Sequence, residues 1–182
     1  MPELDDGVLL NIGDAQVSLA QLAGIPMDDV EEVRRFVFPA MIARWRVEGA
    51  KLTIFGAGDK KEAAVQMEFK CREPLKFVDQ TDESKADKLV GKKHSEAFLF
   101  RGDPMETIGR VKAFMSDCGF RGTGQLQELL NGFQGYEFKG KLTITSSAND
   151  PDRKFNNLGL NFGEWKVSPV ATPEAEPATA TG

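Results

Sequence analysis

Histidine, cysteine and tyrosine are scarce in this chain: 182 residues include one histidine, two cysteines and one tyrosine, beside two tryptophans. A lone His94 leaves little room for histidine metal sites or Ser-His-Asp triads. Cys71 and Cys118 lie far apart with no CxxC spacing, which excludes a disulfide framework and a thiolate zinc site and suits a reducing compartment. No apolar run approaches the roughly 18 residues of a membrane-spanning helix, so no membrane partner is expected. The start, Met1-Pro2-Glu3-Leu4-Asp5-Asp6, lacks the basic residues and long apolar stretch of a secretory signal, and a cytoplasmic location is expected. What is present, 41% hydrophobic and 28% charged residues, belongs to an ordinary globular protein with room for one substantial core.

The net charge of -5 conceals a block pattern. Residues 1–33 carry Glu3, Asp5, Asp6, Asp14, Asp28, Asp29, Glu31 and Glu32 without a single Lys or Arg. Residues 34–72 reverse this, with Arg34, Arg35, Arg44, Arg46, Lys51, Lys60, Lys61, Lys70 and Arg72 against only Glu48, Asp59, Glu62 and Glu68. Residues 73–161 balance. A basic strand region flanked by acidic ends attracts a polyanion, and the ends compete for the same surface; the alternative is that acidic termini merely aid solubility.

Three segments follow from composition. Residues 1–33 form an acidic lead-in, with a short helix expected from Asp28 to Arg34. Residues 34–161 form one domain. Residues 162–182, rich in Ala, Thr, Pro and Glu, are expected to be a disordered tail. Within the domain, Ala43, Trp45 and Val47 alternate with Arg44, Arg46 and Glu48, as in a half-buried strand, and Pro39 marks an edge or bulge. Gly56-Ala57-Gly58-Asp59-Lys60 is a turn. Ala63, Val65, Met67, Phe69 and Cys71 then form the dry face of a second strand that Pro74 ends. A third strand spans Lys92–Phe100. Asp103 as N-cap and Pro104 open a helix stopped by Gly119, and Gln125–Leu130 forms a shorter one. Tyr136, Phe138, Leu142 and Ile144 mark a fourth strand, and Arg153–Leu160 a fifth. This order predicts a mainly β fold, an OB-fold-like five-stranded barrel with a helix between strands three and four; a small sandwich with an inserted helix reads similarly.

Enzyme signatures are sparse. Gly56-Ala57-Gly58-Asp59-Lys60-Lys61 lacks the glycine spacing and GK[ST] ending of a phosphate loop, and Gly122-Thr123-Gly124 fails the dinucleotide pattern. Asp150-Pro151-Asp152 reads as a turn. No catalytic residue, metal or cofactor is expected. The basic and aromatic residues are more informative, because unpaired nucleic acid needs cations for its phosphates and flat side chains for its bases. Arg44-Trp45-Arg46, Lys70 with Arg72, Tyr136 with Lys139 and Lys141, and Arg153-Lys154-Phe155 supply both. Trp45, Tyr136 and Phe155 are the candidate stacking platforms, although Trp45 and Phe138 also sit on the apolar side of their strands, where packing is the default.

The stretch Met67-Glu68-Phe69-Lys70, then Ala97-Phe98-Leu99-Phe100-Arg101-Gly102-Asp103-Pro104 running into a helix with Phe114-Met115-Ser116-Asp117-Cys118-Gly119, Gly135-Tyr136-Glu137-Phe138-Lys139-Gly140, and a close at Arg153-Lys154-Phe155-Asn156-Asn157-Leu158-Gly159 resembles small phage-encoded single-stranded DNA-binding proteins of OB fold. The resemblance covers residues 34–161. It implies a non-enzymatic protein that coats single-stranded DNA during phage replication or recombination in the host cytoplasm, with replication or recombination proteins as further partners; a homo-oligomer is compatible with it. The tail bearing Glu174 and Glu176 lacks the dense acidic, aromatic-tipped ending of such proteins. The rival expectation is a non-enzymatic protein-binding or virion structural module that pairs a partner strand with a sheet edge.

Overall fold

Strict alternation of apolar and charged residues places most of the sheet before any long-range contact is considered. A computed structural model of the chain describes residues 9–12, 15–18 and 36–170, and divides the chain into two units, Met1–Phe36 and Val37–Gly182. In the first unit, β1 (Leu9–Ile12) and β2 (Ala15–Ser18) pair antiparallel, with Ile12 opposite Ala15. The helix expected at 28–34 lies outside the described residues.

The second unit is built on two long strands, β3 (Met41–Phe55) and β4 (Glu62–Phe77), which form a hairpin. Its turn is the glycine-rich stretch: Gly56 has φ +87°, a left-handed conformation in which a Cβ would collide with the Lys60 carbonyl oxygen. Only a single 3-10 turn, Gly58–Lys60, follows, not the α-helix that a phosphate loop requires. Pro39 precedes β3, and β4 runs through Pro74 instead of ending at it. Shifts in the β3–β4 register accommodate the proline: Ala43 faces Pro74 but Ile42 faces Lys76, and Trp45 faces Cys71 but Arg44 faces Glu73. Leu75 and Arg72 are thus extra residues that bend the strand, as β-bulges do.

A short helix α1 (Ala86–Leu89) leads to β5 (Lys93–Leu99). Then α2 (Pro104–Asp117) starts as its sequence requires, with the Asp103 carboxylate accepting from the Met105 amide at 2.9 Å and Pro104 in the first turn. Next comes α3 (Leu126–Phe133), which opens with a Gln125–Glu128 capping box and continues through Gly132. Three strands close the chain: β6 (Glu137–Ser146), β7 (Lys154–Asn157) and β8 (Val167–Pro169). Residues 162–170 therefore belong to the fold, contrary to the expectation of a tail from 162 onward. Trp165 explains why: its indole donates to Asp117 at 2.8 Å and its ring lies 5.6 Å from that of Phe114. Residues 171–182 lie outside the described residues.

The six strands form one antiparallel sheet in the order β5-β4-β3-β6-β7, with β8 also on β6. It has six strands instead of five, and the described strands do not close it into a barrel, because β5 and β7 share no ladder. The Glu96 side chain bridges that gap. Its carboxylate accepts from the backbone amides of Leu158 and, at 3.1 Å, Leu160, just beyond β7, and lies 2.8 Å from the ring nitrogen of buried His94. His94 thus lines the inner face of β5, not the surface. One face of the sheet packs on α2 and α3 around Phe114, whose ring meets those of Phe69, Phe98, Phe133 and Phe138 within 6.1 Å. Each such ring, fully buried, contributes roughly 1.5–3 kcal/mol. Among the described residues no helix is long and apolar enough to cross a membrane.

Candidate nucleic-acid interface

The strand alternation that buries Trp45 turns Arg44 and Arg46 to the opposite face. Trp45 is fully buried, its indole donating to the Gly140 carbonyl at 3.2 Å and its ring 5.5 Å from that of Phe38. It cannot serve as a stacking platform, which corrects the expectation from Arg44-Trp45-Arg46. Gly140 is small for this reason: a Cβ there would come within 3.3 Å of both the indole and Leu158. Tyr136 is also drawn inward, between Phe120 and Phe133 at 5.5 and 5.9 Å. Phe155 remains half-buried on β7, with the Arg153 guanidinium 5.2 Å over its ring.

The cations, by contrast, do converge. Arg44, Arg46, Lys70, Lys139 and Lys141 alternate with buried neighbours and share the outer face of β3, β4 and β6. Arg72 joins them at its bulge. Across the ladders Arg44 faces Lys139, Arg46 faces Lys70, and Lys70 faces Lys93. Carboxylates are interspersed. Glu137 lies 3.5 Å from the Arg44 guanidinium and 3.3 Å from that of Arg72; Glu73 lies 3.5 Å from Arg44, and Glu48 4.0 Å from Arg46. Glu68 takes a 2.8 Å hydrogen bond from Lys93, which raises the ammonium pKa above the ordinary lysine value. Lys70, Lys76, Lys139 and Lys141 have no ion pair among the described residues. The buried Arg44 Nε–H is the atom nearest Glu137, at 3.5 Å, but is not aligned for a hydrogen bond.

Arg153 and Lys154 stand apart from this patch, at the far end of β6, where Lys154 faces Ser146 and the Arg153 carbonyl accepts from Ser147. Sequence reasoning missed Lys76 and Lys93, whose places depend on strand register, and Phe162 and Lys166, which it assigned to the tail. The signal for Phe162 was available: Phe162 and Trp165 are two aromatics in a segment otherwise poor in them. Among the described residues no three His, Cys, Asp or Glu side chains group closely enough to hold a metal ion. No family model matches the chain, and no curated protein matches it.

Proposed function

We propose that the chain binds single-stranded DNA with little regard to sequence and without catalysis, through the outer face of β3, β4 and β6. The observation that carries this reading is the set of like-charged neighbours across the ladders, Arg44 with Lys139, Arg46 with Lys70, and Lys70 with Lys93. Like charges directly opposite each other destabilise a sheet. A phosphate backbone laid between them removes the repulsion and releases its own counterions. On this reading Arg44, Arg46, Lys70, Arg72, Lys139 and Lys141 meet phosphates on the central patch. Arg153 and Lys154 do so at the end of β6, where Phe155 offers a ring.

The strand pairing supports an OB-like architecture. Its first long strand, β3, lies between β4 and β6, β4 continues to β5, β6 continues to β7, and the seam between β5 and β7 lacks a ladder, as suits a partly open five-stranded barrel. In that architecture the binding face centres on the second and third strands, here β4 and β5 with Lys70 opposite Lys93. The loop between strands one and two and the loop between strands four and five flank it. Here these are residues 56–61, with Lys60 and Lys61, and residues 147–153, ending at Arg153. A role in phage DNA replication or recombination, with proteins of those processes as partners, rests on the family resemblance.

With Trp45 buried, tryptophan quenching is a poor reporter, so the test is fluorescence anisotropy of a labelled dT oligonucleotide. Binding is expected at low ionic strength, with the logarithm of the affinity falling by about 0.7 per phosphate contact for each tenfold rise in salt. A protein that ignores the oligonucleotide at low salt overturns the proposal. The rival, a protein-binding or virion module, has one observation in its favour: among the described strands β5 is paired on one side only. Large, defined oligomers in light scattering from protein that ignores DNA would favour that rival.

A further inference from the structure

The outer row of β6 continues past Lys139 and Lys141 to Thr143 and Thr145, and there it forms one wall of a groove of about 500 Å³. That volume lies within the roughly 300–1,000 Å³ of small-ligand sites. The opposite wall runs from Asn157, the last residue of β7, into the segment that follows, with Phe162, Glu164 and Lys166. Lys141 and Lys166 are neighbours, since the Lys141 amide donates to the Lys166 carbonyl at 2.9 Å and extends the β6–β8 register by one position. Neither ammonium has an ion pair among the described residues.

Phe162 is 69% exposed, more than any other aromatic ring among the exposed hydrophobic residues described. It is nonetheless held in place. Trp165 anchors the segment to α2, and the Glu164 amide donates to the Gly159 carbonyl at 3.0 Å. Gly159 itself has φ +93°, and a Cβ there would lie 2.7 Å from the Glu164 backbone, so the turn packs tightly. A flat apolar ring is thus presented to solvent on a fixed turn beside two uncompensated ammonium groups. Asn157 uses its carbonyl oxygen to accept from the Gly159 amide at 2.6 Å, which leaves its amide hydrogens to donate. Glu164 adds a negative charge to the groove and disfavours a phosphate on its side.

We infer that this groove is a base-stacking subsite that takes one nucleotide of the bound strand, its base on Phe162 and its phosphate over Lys141 and Lys166. The inference rests on the single-stranded DNA reading above and supplies the platform that buried Trp45 cannot. Stacking tolerates any base, since each has a flat face, and Phe162 therefore adds affinity without sequence preference.

The test compares wild-type protein with Phe162→Ala and Phe162→Tyr on a dT oligonucleotide and on one of equal length and charge with abasic sites in place of thymidines. Because Phe162 is exposed, the substitutions should leave the fold intact, which circular dichroism checks. Phe162→Ala is expected to weaken dT binding roughly tenfold, to leave abasic binding unchanged, and to be rescued by tyrosine. Equal dT binding by wild type and Phe162→Ala overturns the subsite while the DNA reading stands. A loss of equal size on the abasic strand also overturns it, because the ring would then act through something other than a base. Failure of the wild-type protein to bind either strand overturns the DNA reading and the subsite with it.

Discussion

The two faces of the central sheet obey opposite rules. On the inner face every neighbour is complementary: Trp45 lies between Cys71 and Phe138 across its two ladders, and Val47 lies opposite Phe69. On the outer face, one residue along each strand, Arg44 lies between Lys139 and Glu73, and Arg46 between Lys70 and Glu137, one like and one opposite charge each. Folding alone accounts for the first face, whereas on the second the like-charged pairs cost stability that the neighbouring carboxylates offset only in part. On the proposal made above, the like-charged pairs on this face are kept for an anionic ligand.

The contrast is sharpest at Trp45. Trp45→Ala empties the centre of the inner face and strands the Gly140 carbonyl, and is expected to cost about 3–5 kcal/mol in urea denaturation. The salt slope of DNA binding by the remaining folded protein should stay unchanged, whereas a changed slope would place the indole in the interface. Glu96→Gln tests the bridge across the seam. One amide side chain cannot accept from Leu158, Leu160 and His94 as the carboxylate does, and a loss of about 1–3 kcal/mol is expected; an unchanged urea midpoint would mean that the bridge contributes little.

Outer-face substitutions should have smaller effects, and effects of opposite sign on stability and binding. Lys139→Gln removes a like charge opposite Arg44, so thermal stability at low salt is expected to rise by about 0.2–1 kcal/mol. The same change should weaken oligonucleotide binding and reduce the salt slope by about 0.7. A fall in both properties would show Lys139 to be structural. The smallest expected signal is that of the thiols. Burial pushes Cys71 up to about 11 and Cys118 higher still, so both thiols stay protonated at pH 8. Native protein should therefore not react with a disulfide reagent at that pH, and both thiols should react after denaturation. The sign is that of any acid whose charged form is buried: reactivity increases as pH approaches 11.

The sequence revealed this division only in part. Alternation along β3, β4 and β6 and the Asp103-Pro104 helix start were legible because each is a local pattern, repeated every two residues or fixed by a cap. The alternation also assigned Trp45 to the apolar side, yet its place between two arginines suggested a role it does not have. Adjacency in sequence means opposition across a strand. Which cations meet across strands was hidden, because the bulges at Arg72, Leu75 and Glu48 shift the register by amounts that no local pattern records. Phe162 and Trp165 escaped notice because their short ordered segment runs directly into Ala/Thr/Pro-rich sequence, and composition averaged over the two resembles neither.

The Glu96 bridge also sets how freely the end of the chain can vary. A ladder ties two strands along their whole length, and a slip of one residue turns every side chain to the wrong face. At the seam a single carboxylate clasps two amides, so β5 and the end of β7 are tied at a point, whereas the ladders of β7 and β8 on β6 and the Trp165 anchor hold the closing segment along its length. Length can therefore vary most freely in the loop 147–153 before β7, which ends at Arg153, while Phe155 and Phe162 stay fixed by the β6–β7 ladder and the Gly159 turn.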